Sequence, residues 1–201
     1  MIKTIFTDVG GVLLTNGWGS GSRKRAAEKF GLDFADMDSR HHLTFDTYEV
    51  GKTSLEEYLN RVVFWKPRDF TMDQFREFMF GESKPFPEML DLMRKLKANG
   101  YKVVVISNEG RELTEHRIRT FQMGEFVDFF VSSCFVHFRK PDRDIFKMAI
   151  DLAQADPAES VYLDDRSMFV EVASTVGLQA IRHTDLESTT QALTALGVRV
   201  L

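Results

Sequence analysis

Short apolar runs rich in β-branched residues recur along this 201-residue chain, one at its start and the others after Gly100. Such runs are typical of strands buried on both faces of a parallel sheet. The predicted strands are Ile2–Thr7, Tyr101–Ile106, Ser160–Leu163 and Leu178–Ile181, and a fifth lies within Phe126–Ser132. Amphipathic patterns between them predict helices at Pro87–Asn99, Arg111–Met123, Asp142–Gln154, Met168–Val176 and Asp185–Leu196. The alternation predicts an α/β fold with a doubly wound, mainly parallel, five-stranded Rossmann-like sheet.

The region from about Thr15 to Ser83 does not alternate in this way. Its patterns predict only helices, at Arg23–Phe30, around Asp36–Val50, and at Ser54–Phe64 and Met72–Phe80. Ser54 with Glu57 three residues later matches a capping box, which marks a helix start. We therefore expect residues 15–83 to form an all-helical cap domain inserted into a core of residues 1–14 and 84–201. A single compact fold with a long crossover is the alternative.

Composition limits the classes of partner. The formal net charge is -4, which argues against a nucleic-acid footprint, because such surfaces carry a basic surplus. The single cysteine, Cys134, allows no disulfide framework and fits a reducing cytoplasm. No apolar run approaches the roughly 18 residues that a membrane span needs, and no signal pattern opens the chain. Either a monomer or a homodimer is compatible with these features.

Polar residues follow several of the predicted strands at the point where each strand ends. Asp8 ends the first strand and opens a glycine turn, Ser107-Asn108 follows the second, and Asp164-Asp165 follows the strand at Ser160–Leu163. Ligands of open α/β sheets bind outside the carboxyl ends of the strands. We therefore expect these three separated segments to converge on one crevice.

With Lys140-Pro141 between the last two of them, these segments resemble the four motifs of the haloacid dehalogenase superfamily. The motifs here are Asp8-Val9-Gly10-Gly11-Val12, Ser107-Asn108 after an apolar strand, Lys140-Pro141, and Tyr162-Leu163-Asp164-Asp165. Their order and approximate spacing match across essentially the whole chain. The inserted helices are similar to the helical (C1-type) cap of that superfamily, and the chain most resembles its small phosphatases.

The resemblance implies hydrolysis of a small phosphate monoester, such as a sugar phosphate, through an aspartyl-phosphate. Asp8 would be the nucleophile, and Ser107 and Lys140 would bind and neutralise the phosphoryl group. Val9, Gly10 and Asn108 are the further substrate-binding candidates. Mg²⁺ would be the cofactor, because it prefers oxygen ligands and offsets the charge of the phosphate. The implied ligands are Asp8, the backbone oxygen of Gly10, Asp164 and Asp165, with Asp164 bound directly or through water.

Two positions depart from the superfamily pattern. Gly10 stands where most of its phosphatases carry a second Asp, the acid and base of the reaction, and Phe169 stands where relatives often place Asn or Asp. We hypothesise that the enzyme either borrows an acid from the cap or prefers esters with good leaving groups. The cap candidates for that acid are His41, His42, Asp46 and Glu49. Two other functions remain open: a metal-independent 2-haloacid dehalogenase, and a catalytically weakened module that binds a metabolite or partner.

Overall fold

The alternating runs pair as one five-stranded sheet, and the computed structural model describes residues 1–200 of the chain. The strands are β1 (Thr4–Thr7), β2 (Lys102–Ser107), β3 (Phe129–Ser132), β4 (Ser160–Asp164) and β5 (Gln179–Arg182). Their order is β3-β2-β1-β4-β5, and every neighbouring pair is parallel. This confirms the predicted doubly wound α/β fold with a helical insertion after β1. It also places the carboxyl ends of all strands at one edge.

Alternate residues of each strand enter two separate apolar layers, because successive side chains point to opposite faces of a sheet. Ile5 of β1 and Val103 of β2 belong to one layer, and Phe6 and Val104 belong to the other. All four are fully buried. The central strands are therefore covered on both faces, as their unbroken apolar sequences predict.

The insertion consists of four helices: α1 (Ser20–Phe30), α2 (Phe34–Glu49), α3 (Leu55–Val62) and α4 (Met72–Gly81). They bury an apolar cluster around Tyr58 and Phe75, to which Leu113 from the chain beyond the insertion also contributes. The capping box at Ser54 and Glu57 is present at the start of α3, with both reciprocal hydrogen bonds. Helix α1 begins three residues before its predicted start at Arg23, with Gly19 as its N-cap.

The two chain segments that join the insertion to the sheet lie side by side. Thr15 N donates to Lys84 O (2.8 Å), and Lys84 N donates back to the Thr15 hydroxyl (3.0 Å). Leu14 and Pro85 form an isolated antiparallel bridge next to them. This pairing supports the predicted domain boundaries at residues 14 and 84, which we retain as a proposal.

The helices after the insertion are α5 (Pro87–Ala98), α6 (Arg111–Thr120), α7 (Ser133–Val136), α8 (Arg143–Ala153), α9 (Ser167–Thr175) and α10 (Leu186–Ala195). Helix α6 stops before its predicted end at Met123, because Gln122 takes the left-handed conformation (φ 52°). Helix α7 was not predicted, since four residues are too few to show a helical period. Within residues 1–200, no helix combines the length and apolar character that crossing a membrane requires.

Candidate active site

Asp8 lies at the carboxyl end of β1, where the chain leaves the sheet. Its N–H still pairs with Leu163 O of β4 (2.9 Å), and its Oδ1 accepts from the N–H of Val9 (2.7 Å). Gly11 is in a positive-φ conformation (81°), and a Cβ there would come within 2.4 Å of Asp165 Oδ2. Glycine at this position therefore permits the tight turn that brings Asp8 and Asp165 together.

Lys140 is the cation at the centre of the site. Its Nζ lies 3.1 Å from Asp8 Oδ1, 2.7 Å from Asp164 Oδ2 and 3.0 Å from the Tyr162 hydroxyl. The Lys140 side chain is completely buried. Its ammonium group also lies 4.9 Å from the centre of the Phe169 ring, so the residue that departs from the superfamily pattern forms one wall around the cation.

Asn108 holds the segment that carries Lys140. Its side-chain oxygen accepts from Lys140 N (2.7 Å), and its side-chain nitrogen donates to Lys140 O (2.7 Å). Ser107, the last residue of β2, is buried beside it and lines the same cavity as Asp8 and Gly10. The predicted Ser107-Asn108 pair thus reaches the site, with Asn108 engaged on the lysine backbone.

The two adjacent aspartates differ in their surroundings. Asp164 is fully buried, and its oxygens are occupied by Lys140, by the Tyr162 hydroxyl and by the N–H of Arg166. Asp165 is partly exposed, and its Oδ1 is buried without a hydrogen-bond partner among residues 1–200. Asp165 therefore has a carboxylate oxygen free for a ligand, whereas the oxygens of Asp164 already have protein partners.

Asp8, Asp164 and Asp165 each offer an oxygen atom, and these atoms lie within 4.8 Å of one another. Three carboxylates around one lysine leave an excess of negative charge. Burial raises the pKa of Asp8, although Lys140 opposes the rise. Burial, with Asp8 and Asp164 adding to it, raises the pKa of Asp165 to about 6. An all-oxygen donor set with an orphaned buried oxygen suits a hard divalent cation such as Mg²⁺.

A cavity of about 340 Å³ opens above these groups, between the sheet edge and the inserted helices. Its core side is lined by Asp8, Gly10, Ser107, Asn108 and Lys140. Its cap side is lined by Trp18, Arg23, His41, His42, Phe45, Asp46 and Glu49. The predicted convergence of the strand ends is therefore present, and the cap candidates for an acid face the same space.

His41 is held neutral by its neighbours. Trp18 donates to the Tyr58 hydroxyl (2.8 Å), which lies 2.8 Å from His41 Nδ1. The hydroxyl is buried and makes no other hydrogen bond among the described residues, so its own hydrogen goes to Nδ1 and the ring proton is on Nε2. Burial, with the charges of Arg23 and His42, lowers the pKa of His41 to about 3. His41 can donate a hydrogen bond but does not act as an acid near neutral pH.

Glu49 connects the cap to the core. Its carboxylate lies 2.7 Å from Arg139, which also pairs with Asp46, and its backbone oxygen accepts from the Ser133 hydroxyl (2.7 Å). Burial raises the pKa of Glu49 to about 7, against the opposing charge of Arg139. Arg139 immediately precedes Lys140, so one loop supplies both the central lysine and the arginine that pairs with two carboxylates of helix α2.

Several lining residues were not identified from the sequence, among them Asn16, Glu109, Arg117 and Arg139. Glu109 directly follows the Ser107-Asn108 motif, and that adjacency was the available signal. Arg117 lies on α6 with its side chain buried, and nothing in the helical pattern shows that this arginine faces inward rather than outward. The single cysteine, Cys134, is buried, and burial raises the pKa of its thiol to about 11.

Residues 2–177 match the family described as haloacid dehalogenase-like hydrolases. Among individual proteins, the chain is 26% identical over 213 residues to a D-ribitol-5-phosphate phosphatase of Bacteroides thetaiotaomicron, covering 98% of each. It is 22% identical over 174 residues to flavin mononucleotide hydrolase 1 of Arabidopsis thaliana, covering 85% of this chain and 69% of that one. It is 26% identical over 140 residues to bifunctional epoxide hydrolase 2 of Sus scrofa, covering 67% of this chain but only 25% of that protein.

A solved structure of similar fold is a Bacteroides thetaiotaomicron enzyme of the same family in complex with magnesium and inorganic phosphate. It superposes with a TM-score of 0.76 at 21% identity, covering 92% of this chain and 95% of that one. A family hydrolase from Porphyromonas gingivalis superposes with a TM-score of 0.78 at 21% identity, covering 99% of each chain. These likenesses confirm the fold, and the family match confirms the resemblance that the four motifs indicate.

Proposed function

The chain belongs to the haloacid dehalogenase-like hydrolases, and from this premise we propose that it is a Mg²⁺-dependent phosphatase. Its substrate would be a small phosphate monoester, hydrolysed through an aspartyl-phosphate. The observation that carries the proposal is the cluster of three carboxylates around buried Lys140, with one oxygen of Asp165 unpaired. A phosphate dianion can approach the Asp8 carboxylate only if the site supplies positive charge.

In this proposal Asp8 attacks phosphorus in line, and the phosphoryl group is transferred to its carboxylate oxygen. Lys140, 3.1 Å from Asp8 Oδ1, offsets the charge of both partners. The Ser107 hydroxyl donates to a phosphoryl oxygen. Val9 and Gly10 contribute backbone groups of the turn, and Asn108 keeps Lys140 in place through its two hydrogen bonds.

Asp8, Asp165 and the backbone oxygen of Gly10 would hold Mg²⁺, with Asp164 behind them. The ion would supply charge neutralisation at the phosphoryl oxygens. Asp164 has a different task, because its buried carboxylate fixes the Lys140 ammonium group at 2.7 Å. We assign Asp165 to the metal and Asp164 to the lysine because one oxygen of Asp165 has no hydrogen-bond partner, whereas both oxygens of Asp164 have protein partners.

Residues 15–83 would act as the cap that covers the cavity and selects the rest of the substrate. The substrates named for two relatives, D-ribitol 5-phosphate and flavin mononucleotide, are both phosphate esters on the end of a ribityl chain. The polar cap side of the cavity, with His41 Nε2 and the Arg139-Glu49 pair, suits the hydroxyl groups of such a chain. A primary phosphate ester of a polyol is therefore the substrate we would test first.

The test is phosphate release from an activated aryl phosphate and from ribitol 5-phosphate, with and without Mg²⁺. We expect metal-dependent release by the wild type and a loss of at least roughly 10³-fold in Asp8→Asn, because the nucleophile is removed. Metal-independent chloride release from 2-haloacids, without phosphatase activity, would instead establish the dehalogenase. Binding of phosphate esters without turnover would establish the non-catalytic alternative.

A further inference from the structure

The proposed reaction needs a proton donor for the leaving group, and Gly10 has no side chain to supply one. The cap candidate His41 is neutral and does not ionise near pH 7. The core side of the cavity, however, contains a carboxyl group that the mechanism above does not use. Glu109 lies on the segment between β2 and α6, is 7% exposed, and lines the same cavity as Asp8 and Gly10.

Arg117 links Glu109 to the position that lacks a carboxyl group. A Cβ atom at residue 10 would lie 3.9 Å from Arg117 Nη1 and 3.0 Å from Asn16 Oδ1. The same Nη1 atom lies 2.5 Å from Glu109 Oε1. A side chain at position 10 and the carboxylate of Glu109 would therefore be alternative partners of one guanidinium nitrogen, on the same side of the cavity.

The guanidinium group is fixed from three directions. Its Nε donates to the Ser83 hydroxyl (3.0 Å), and its Nη2 donates to Thr15 O (2.9 Å), so it bridges both joints of the insertion. The Arg117 side chain is 2% exposed. The N–H of Glu109 donates to the Ser133 hydroxyl (2.9 Å), which fixes the backbone. The carboxylate itself is held by Arg117 and by a hydrogen bond with Thr114. The carboxylate thus has a defined position at the edge of the cavity rather than a mobile one on the surface.

We propose that Glu109 is the acid and base of the reaction, taking the role that a carboxyl group at position 10 would have. This rests on the proposed function. As Asp8 forms a bond to phosphorus, the bond from phosphorus to the ester oxygen breaks, and Glu109 gives its proton to that oxygen. The alcohol leaves. The Glu109 carboxylate then takes a proton from water, whose oxygen bonds to phosphorus as the bond to Asp8 breaks, and phosphate is released.

The surroundings of Glu109 permit both protonation states near neutral pH. Burial raises its pKa to about 7; Arg117 opposes the rise and Asp8 adds to it. The other titratable groups that interact with it are Glu49 and Tyr48 on α2 and Cys134 on α7. A general acid performs best when its pKa is close to the working pH.

Glu49 is the rival, since it lines the same cavity and its pKa is also raised to about 7. It differs in its connections. Glu49 belongs to the cap and pairs with Arg139, whereas Glu109 belongs to the core and pairs with the guanidinium that faces Gly10. A comparison of Glu49→Gln with Glu109→Gln therefore separates the two assignments.

The experiment measures kcat/KM with Mg²⁺ for two substrates that differ in their need for a proton. Nitrophenyl phosphate has a good leaving group, and ribitol 5-phosphate has a poor one. We expect Glu109→Gln to lower kcat/KM by about 10²–10⁴-fold for the alkyl ester but by less than about tenfold for the aryl ester. Gly10→Asp in the Glu109→Gln background should recover part of the alkyl activity. Glu115→Gln, a change at a half-exposed carboxylate on α6, should alter neither.

The pH profile gives a second readout. The limb of kcat/KM near pH 7 for the alkyl ester should be lost in Glu109→Gln and kept in Glu49→Gln. If Glu109→Gln does not fold, Glu109→Asp retains the charge but moves the carboxyl group by one methylene, and the same selective loss is expected. Equal losses on both esters, no loss, or a selective loss in Glu49→Gln instead would overturn the assignment.

The outcome also separates this inference from the proposed function. A wild type that releases phosphate from neither ester would overturn both. A wild type that is active, and inactive as Asp8→Asn, while Glu109→Gln behaves like Glu115→Gln, would overturn only the role of Glu109.

Discussion

The core side and the cap side of the cavity are charged in different ways. On the core side, three carboxylates surround one buried cation, Lys140, so negative charge is in excess. On the cap side, charges are matched locally: Arg23 pairs with Asp38 at 2.8 Å, and Arg139 pairs with Glu49 at 2.7 Å. The core side is therefore suited to a cation and a phosphate. The cap side is suited to the uncharged, hydroxyl-bearing remainder of a substrate.

The two sides of the cavity also differ in how burial and charge shift the pKa values of their groups. Burial raises the pKa of Asp8 and Asp165 on the core side, and the neighbouring carboxylates add to the rise. On the cap side, burial, with Arg23 and His42 adding to the effect, lowers the pKa of His41. A fall in pH should therefore reduce the repulsion among the carboxylates on the core side. On the cap side it should lower stability, because His41 is held neutral in the folded protein. Variants that change one side only can test this.

The largest effect is expected for Lys140→Met, which keeps the length of the side chain but removes its charge. Phosphate release should fall by about 10²–10³-fold, because an electrostatic contact to the reacting group is lost. The free energy of unfolding at pH 8 should fall by about 3–5 kcal/mol, because Asp8 and Asp164 are left buried without their cation. Activity assays and urea unfolding measure the two effects.

Lys147→Met is the matched control for this substitution. Lys147 is on the surface of α8, where its exposed side chain pairs with Asp144. Such a change should alter stability by no more than about 0.5 kcal/mol and leave activity intact. If Lys140→Met were as stable and as active as Lys147→Met, the core side would not depend on its central cation.

The core side of the cavity could be predicted from the sequence, because its residues follow strands and the ends of parallel strands define where ligands bind. Asp8, Ser107 and Asp164 each end a strand of recognisable apolar pattern, and the carboxyl ends of parallel strands meet at one edge. Two features were not predicted. The helix α7 is too short to show a helical period, and the early end of α6 depends on the left-handed backbone of Gln122. These errors lie outside the strand ends and did not affect the prediction of the site.

The cap side could not be predicted to the same depth. His41 was a candidate acid by residue type, but its protonation depends on Tyr58 and Trp18, which come from α3 and from the joint before α1. The pair of Glu109 and Arg117 likewise depends on which face of α6 turns inward. Contacts of this kind follow from how helices pack on one another, and a period in the sequence does not specify that orientation.

An intermediate effect is expected on the pH dependence of stability through His41. Its pKa is about 3 in the folded protein and near 6.5 when unfolded, so the unfolded state binds a proton first as the pH falls. The resulting stability is present above about pH 6.5 and is lost below it. Between pH 7.5 and pH 5 this loss should reach about 2 kcal/mol.

His41→Phe tests this by comparison, because phenylalanine fills the site without titrating. Urea unfolding of the variant should show a drop between pH 7.5 and pH 5 that is smaller than that of the wild type by about 2 kcal/mol. His42→Phe is the neighbouring control, since His42 is largely exposed. Equal pH dependence of His41→Phe and wild type would show that His41 is not held neutral by the cap.

The smallest effect is expected at Asp165, and its sign is opposite to that of His41. Burial, with Asp8 and Asp164 adding to it, raises the pKa of Asp165 to about 6, so without metal its ionisation lowers stability as the pH rises from about 4 to 6 and has no effect below about 4. Asp165→Asn should therefore be more stable than the wild type at pH 8 by about 1 kcal/mol, since partial exposure screens the repulsion. That corresponds to about 2–4 °C in Tm for a chain of this size.

The stability advantage of Asp165→Asn should vanish at pH 4 and should reverse at pH 8 in excess Mg²⁺, which stabilises only a protein that binds it. Asp69→Asn, an exposed loop change, should follow the wild type throughout. An Asp165→Asn variant that gained as much from Mg²⁺ as the wild type would place the cation elsewhere and remove the distinction between the two sides of the cavity.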